Sequence, residues 1–165
     1  TNKKGILKSF NLGDSFMEDF VGDGDGDGFR EVVLIPLEDS QVFYVYSGKT
    51  GNLVIQKNIG VPTKKIFGLE DVNGDGKGDV AIRIANGLVS GSGQIEFSKV
   101  RIYDGATGNL ISEINPSSEQ AWEQFGDYVE NLGDLNGNGM NELGISSPKY
   151  DSTIDVAHNG GKTRI

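Results

Sequence analysis

Three stretches of this chain decide its fold, and they read Asp23-Gly-Asp-Gly-Asp-Gly-Phe-Arg-Glu31, Asp71-Val-Asn-Gly-Asp-Gly-Lys-Gly-Asp79 and Asp134-Leu-Asn-Gly-Asn-Gly-Met-Asn-Glu142. Each follows the pattern D-x-[DN]-G-[DN]-G-x-x-[DE], and a short apolar run comes directly after it. The first aspartates lie 48 and 63 positions apart (71 − 23 and 134 − 71). The chain therefore contains an internal repeat of about fifty residues, with an insertion in the second interval. We place the repeats at approximately residues 11–57, 58–114 and 115–165.

A second segment repeats in phase with the first, and it reads Val45-Tyr-Ser-Gly-Lys-Thr-Gly-Asn-Leu-Val54 and Ile102-Tyr-Asp-Gly-Ala-Thr-Gly-Asn-Leu-Ile111. An alternating strand that enters a glycine-containing turn and leaves as another strand predicts a β-hairpin. Each repeat is thus predicted to hold four short strands, two flanking the acidic loop and two flanking this turn. Such units are typical of β-propeller blades. A β-sandwich with coincidental Gly-Asp loops is the alternative, and Ser117–Phe125 is the only weak helical candidate.

The composition is that of a glycine-rich, acidic globular chain. Its 165 residues favour one domain, residues 1–165, with enough chain to bury a core. The formal net charge of −9 argues against nucleic-acid and anionic-membrane partners. The absence of cysteine excludes disulfides and zinc–thiolate sites. Since no apolar run reaches transmembrane length, we expect no membrane insertion.

The acidic loops suit a hard cation, because they offer oxygen ligands at alternate positions. Calcium takes six to eight oxygens in a flexible geometry. Positions 1, 3, 5 and 9 can supply side-chain oxygens and position 7 a backbone carbonyl, while glycine at positions 4 and 6 lets the backbone coil around an ion. Three Ca²⁺ sites are therefore predicted. Their side-chain ligands are Asp23, Asp25, Asp27, Glu31; Asp71, Asn73, Asp75, Asp79; and Asp134, Asn136, Asn138, Glu142, and their carbonyl ligands belong to Phe29, Lys77 and Met140.

Two other kinds of loop share part of this pattern. An EF-hand loop needs an acid at position 12, but position 12 here is Leu34, Ile82 or Ile145, which belong to the following strands. Three solvated acidic turns without metal are the second alternative, because Asp and Gly are common in turns. Several carboxylates within nine residues repel one another unless a cation offsets their charge, and this favours metal sites.

The third repeat most closely resembles the FG-GAP family, whose pattern is an FG pair, a calcium loop and a strand that ends in a proline box. Phe125-Gly126 precedes the third loop, and Ser146-Ser147-Pro148 follows it. The second repeat keeps Phe67-Gly68, and the first has Ile35-Pro36 at the place of the proline box but no FG pair. Glutamate at position 9 of two loops, and Asn138 at position 5 of the third, depart from the family pattern.

This resemblance implies an integrin α-like, calcium-stabilised β-propeller that is secreted or displayed on a cell surface. It implies a non-catalytic module for adhesion or for binding a protein or glycan ligand. The alternative is the scaffold region of a secreted hydrolase or polysaccharide lyase whose catalytic residues lie elsewhere. His158 is the only histidine, and we interpret it as structural or superficial, so no catalytic residue is predicted.

The two ends of the chain extend the strand pattern. Ile6 precedes Asp23 by 17 positions as Leu53 precedes Asp71 by 18, so the N-terminal segment is predicted to be the fourth strand of a preceding blade. Gly160–Ile165 is predicted to be a third strand. These strands make about three blades, whereas closed propellers usually need four to eight. We therefore expect either the remaining blades of a larger propeller or self-association, for example two chains in one six-bladed ring.

Overall fold

The chain folds into β-strands joined by turns and loops. The computed structural model describes residues 15–89, 95–116, 124–148 and 162–164, and these residues form no helix. The predicted all-β class is confirmed. The strands are β1 (Phe16–Val21), β2 (Glu31–Pro36), β3 (Val42–Tyr46), β4 (Leu53–Asn58), β5 (Thr63–Gly68), β6 (Asp79–Val89), β7 (Ile95–Asp104), β8 (Leu110–Ile114), β9 (Val129–Gly133), β10 (Glu142–Ser147) and β11 (Lys162–Arg164).

The strands form three antiparallel sheets in which neighbours along the chain are neighbours in space. Sheet 1 has the order β1-β2-β3-β4, sheet 2 the order β5-β6-β7-β8, and sheet 3 the order β11-β10-β9 among the described residues. The strands on either side of each acidic loop pair with each other, as Val21 pairs with Glu31 across the first loop. The first two repeats therefore contain the four predicted strands. The described sheets do not by themselves close a ring.

Sheet 2 is buried on both faces. Val80, Ala81 and Ile82 of β6 are all fully buried, although successive residues of a strand point to opposite faces. Val80 and Ile82 belong to an apolar core shared with sheet 1, and Ala81 belongs to a core shared with sheet 3. A continuous apolar run is what a strand covered on both sides requires. The three sheets therefore stack in chain order.

Large apolar side chains hold each pair of sheets together. Between sheets 1 and 2, the fully buried ring of Phe43 meets Tyr103, with 5.4 Å between the ring centroids. Between sheets 2 and 3, Phe125 is 1% exposed and packs with Ile102 and Ile145. Burial of a side chain of this size contributes roughly 1.5–3 kcal/mol. The stack therefore fixes how each sheet, and the acidic loop that it carries, lies relative to the next.

Stacking brings the acidic loops to one edge of the molecule. The N–H of Gly78 in the second loop donates to the carbonyl of Asp23 in the first, at 3.2 Å. Met140 of the third loop lies beside Gly74 of the second, where its Cγ would be 3.4 Å from an added Cβ. The loops are thus neighbours in space although about fifty residues separate them in sequence.

Some predictions fall outside the described residues. These are the N-terminal strand around Ile6, the histidine His158, and all but the last two residues of the helical candidate Ser117–Phe125. Lys162–Arg164 does form a strand that pairs with β10, in the third-strand position expected of it. In the part of the chain that the structure describes, no helix is long and apolar enough to cross a membrane.

Candidate metal centre

The first acidic loop, between β1 and β2, brings four carboxylates together. Asp23, Asp25, Asp27 and Glu31 each place one carboxylate oxygen so that all four oxygens lie within 4.8 Å of one another. Such a group could hold a metal ion. Three of the carboxylates belong to aspartates at alternate positions of a tight loop, and the fourth belongs to the first residue of the next strand. The cluster therefore forms within nine consecutive residues.

Backbone hydrogen bonds shape this loop around its first residue. The Asp23 carboxylate accepts the N–H groups of Gly26 and Gly28, both at 2.8 Å, and that of Asp27 at 3.0 Å. Gly26 and Gly28 have φ angles of 79° and 86°, a conformation that other residues adopt only with strain. Glycine at positions 4 and 6 is therefore what allows the chain to coil inside its own carboxylates.

Glu31 is the most unusual member of the cluster. Its side chain is 0% exposed; Oε2 accepts the N–H of Gly24, and Oε1 has no hydrogen-bond partner. Burial raises the pKa of Glu31 from 4.5 to about 7. The hydrogen bond from Gly24 lowers this pKa, whereas repulsion from the three aspartates raises it further. A buried carboxylate oxygen with no donor is costly. A cation among the four carboxylates would offset both its charge and its missing partner.

The second loop, between β5 and β6, has the same internal pattern. The Asp71 carboxylate accepts the N–H groups of Gly74 and Gly76, both at 2.7 Å. Asp79 is 0% exposed and accepts the N–H of Val72 at 3.0 Å and that of Gly105 at 3.3 Å.

Burial raises the pKa of Asp79 to about 6; hydrogen bonds from Val72 and Gly105 oppose the rise, and the charges of Asp75 and Asp104 add to it. Asp79 differs from Glu31 in that each of its carboxylate oxygens accepts a backbone hydrogen bond. The second loop therefore repeats the shape and the buried charge of the first, but both oxygens of its buried carboxylate have partners.

The third loop, between β9 and β10, keeps the pattern but is more open. The Asp134 carboxylate accepts the N–H groups of Gly137 at 2.7 Å and Gly139 at 2.8 Å. The N–H of Gly139, followed by those of its neighbours, holds the pKa of Asp134 below its usual value. Glu142 accepts the N–H of Leu135 at 2.6 Å and the side-chain amide of Asn136. In the third loop, the side-chain amide of Asn136 thus provides the hydrogen bond that Glu31 Oε1 lacks in the first loop.

The remaining predicted ligands occupy equivalent places in the three loops. At position 3, oxygens of Asp25, Asn73 and Asn136 each accept the N–H of position 5. At position 5, oxygens of Asp27, Asp75 and Asn138 accept the N–H groups of Phe29, Lys77 and Met140. The carbonyl ligands assigned to these three position-7 residues stay a prediction.

Residues of the repeated hairpin turn also support the loops, and sequence reasoning missed them. Ser47 Oγ donates to Asp27 Oδ2 at 3.4 Å, and Lys49 Nζ donates to the Asp27 carbonyl at 3.3 Å. In sheet 2, the N–H of Gly105 donates to Asp79 as described above. The in-phase repetition of the Tyr-x-Gly segment was the signal that could have identified them, because it places the same turn beside each of the first two loops.

Comparison with protein-family models and curated proteins identifies no relative of this chain. A scan against protein-family models finds no match, and a search of curated proteins finds none either. The loops themselves are therefore what indicates a function.

Proposed function

We propose that this chain is a calcium-binding β-propeller repeat module without catalytic activity. The observation that carries this proposal is the buried Glu31 carboxylate, whose Oε1 has no hydrogen-bond partner and which lies among three aspartates within 4.8 Å. Four oxygen ligands from carboxylates favour a hard cation. Calcium takes six to eight oxygens in a flexible geometry, whereas magnesium demands a near-ideal octahedron, so a loop that offers four carboxylates and the predicted Phe29 carbonyl fits calcium better.

The second and third loops are proposed as two further calcium sites. The support is their shared hydrogen-bond pattern, in which the first aspartate accepts the N–H groups of the two positive-φ glycines. Their carboxylates number three and two, against four in the first loop. If carboxylate charge sets affinity, the third site is the weakest.

The propeller itself is also a proposal, supported by how the sheets stack. Sheet 2 receives one neighbour on each face, so a sheet of this type accepts a second sheet on both sides. The outer face of sheet 1 still presents apolar side chains, of which Phe20 is 61% exposed and Phe16 is 36% exposed. Terminal repeats of a stack need a covering surface. We propose that blades of a larger propeller, or of a second copy of this chain, cover this face.

We further propose that the module acts outside the cell, in adhesion or in binding a protein or glycan. Millimolar extracellular calcium would load sites of modest affinity. Bound calcium would reduce the net charge from −9 to −3 with three ions. This would lower self-repulsion in the stack and leave a charged, calcium-dependent edge available to a ligand.

Calorimetric titration with calcium tests the metal sites. We expect three ions for the wild type and loss of one in Asp25→Ala, in which a first-loop carboxylate is removed. Glu38→Ala is the matched control, because Glu38 is an exposed acid in the turn after β2. A wild type that binds no calcium, or an Asp25→Ala variant with unchanged stoichiometry, would refute the first-loop assignment.

Chelation tests the structural role, and light scattering tests the assembly. Removing calcium should lower the melting temperature by more than an ionic-strength control does, because an ion bound only to the folded state stabilises it. In solution, Phe20→Lys should reduce any dimer to a monomer. A stable wild-type monomer would rule out self-association and leave the larger propeller.

A further inference from the structure

The first acidic loop is built against the backbone of the second sheet. The N–H of Gly22, which immediately precedes Asp23, donates to the carbonyl of Leu69 at 2.9 Å. The N–H of Gly78, which immediately precedes Asp79, donates to the carbonyl of Asp23 at 3.2 Å. Asp23 therefore has two roles, since its side chain is a proposed cation ligand and its carbonyl binds the neighbouring repeat.

Glycine makes this approach possible. A Cβ on Gly22 would lie 3.0 Å from the Cα of Gly78, and a Cβ on Gly78 would overlap the backbone of Gly22. A Cβ on Gly24 would lie 3.3 Å from the carbonyl oxygen of Gly105. Backbone thus meets backbone where Gly22 faces Gly78, and interfaces packed this closely transmit strain.

Two of these glycines, Gly24 and Gly105, also donate hydrogen bonds to the buried carboxylates of the two loops. Gly24 donates its N–H to Glu31 Oε2, and Gly105 donates its N–H to Asp79 Oδ1. A chain of contacts therefore runs from Glu31 through Gly24 and Gly105 to Asp79. If sheet 1 separated from sheet 2, Gly24 and Asp23 would move, and these residues position two of the four carboxylates of the first loop.

We propose that cation binding in the first loop is energetically coupled to the packing of sheet 1 on sheet 2, with Gly78 and Gly105 as positioning residues contributed by the second repeat. This inference rests on the proposed calcium function. Coupling is reciprocal: the docked second sheet organises the first-loop site, and an ion in that site strengthens the boundary between the sheets. The ion therefore acts between repeats as well as within its own loop.

Hydrogen exchange at the Gly78 amide tests the coupling. Gly78 also belongs to the second loop, so the measurement uses Asp75→Ala, which removes a proposed ligand of that loop. If opening the boundary releases the first-loop ion, calcium at 100 times its Kd should slow exchange of this amide by about 100-fold. In Asp25→Ala/Asp75→Ala, which lacks both sites, calcium should leave the exchange rate unchanged.

The outcomes separate this inference from the function on which it rests. If Asp75→Ala binds calcium in the first loop and the Gly78 amide still exchanges at the calcium-free rate, the coupling is refuted and the metal site stands. If the first loop binds no calcium at all, both proposals fall, and calorimetry on the same variant identifies this case.

Substitution of the positioning residue gives a second test. Gly78→Ala forces the two backbones apart, and we expect it to weaken calcium binding in the first loop by about 10- to 100-fold, as changes to outer-shell groups do. The matched control is Gly144→Ala in β10, where an added Cβ meets only the side chain of Leu132 at 3.4 Å. Unchanged first-loop affinity in a folded Gly78→Ala variant would overturn the assignment, and circular dichroism establishes that the variant is folded.

Discussion

Replacing Glu31 with glutamine is expected to stabilise the calcium-free protein and to destabilise the calcium-loaded protein. The folded-state pKa of Glu31 is raised from 4.5 to about 7. Because the folded protein then holds this proton more tightly than the unfolded chain does, the free energy of unfolding falls as pH rises between these values. One pKa unit corresponds to about 1.4 kcal/mol, so at pH 8 the ionised carboxylate lowers the free energy of unfolding by about 3 kcal/mol.

Glutamine removes this penalty while keeping the shape of the side chain. Its carbonyl oxygen can accept the Gly24 N–H that Glu31 Oε2 accepts. The advantage of the variant should decline as pH falls from 7 towards 4.5, because the wild-type carboxyl becomes protonated in both the folded and the unfolded state.

Calcium should reverse the order of stability. At free calcium 1,000 times the Kd of the first loop, binding adds about 4 kcal/mol to the wild type. Glu31→Gln lacks a charged ligand in the first loop, so calcium binding there should add little to its free energy of unfolding. The wild type should then be the more stable by about 1 kcal/mol, so the difference between the two proteins changes sign.

Urea and thermal unfolding at pH 8, with chelator and with calcium, measure both differences. In chelator we expect the variant to melt higher by on the order of 6–12 °C for a chain of this size. Glu130→Gln, on the exposed face of β9, is the control. Its stability should equal that of the wild type both in chelator and in calcium. The reasoning is refuted if Glu31→Gln is less stable than the wild type by the same amount in both conditions, because Glu31 would then be a structural residue.

Three further outcomes are expected. In Asp75→Ala, calcium binding by the first loop should release more protons at pH 6 than at pH 8, because the pKa of Glu31 is about 7 and its carboxyl must ionise to bind. Calorimetry in buffers of different ionisation enthalpy measures this release, and pH-independent release would contradict the prediction. Asp134→Asn should remove the weakest class of calcium sites, and losing the tightest class would reverse the proposed order. Gly76→Ala should reduce stability by about 1–2 kcal/mol, because Gly76 has a φ of 82° with open space around it; unchanged unfolding would show that the loop can relax.

The acidic loops and their strands could be predicted because their determinants are local. Asp71 and Gly76 are only five residues apart and form a hydrogen bond of 2.7 Å within one loop, so the spacing of residue types specifies the conformation. The strands follow from apolar runs such as that after Asp79, which become β6. Such local features can be predicted without knowing which part of the chain packs against the repeat.

The difference between equivalent loops could not be predicted in this way. Glu31 and Glu142 occupy the same position of the same motif, yet Glu31 is fully buried with an unpartnered oxygen and Glu142 is half-buried with an amide donor from Asn136. The motif contains no information about the backbone of a neighbouring repeat. Gly105, which lies against Gly24 in the first loop, is more than 70 positions away in the sequence.

By itself, the sequence determined the repeat, the all-β class and the shared conformation of the three acidic loops, because short-range hydrogen bonding and backbone sterics govern these features. Only the tertiary structure decided which carboxylate is buried, which oxygen lacks a partner and which glycine of one repeat touches the loop of another. These features depend on long-range packing of one sheet on the next, where burial changes the cost of a charge. The first loop is therefore a local motif in which burial raises the pKa of Glu31.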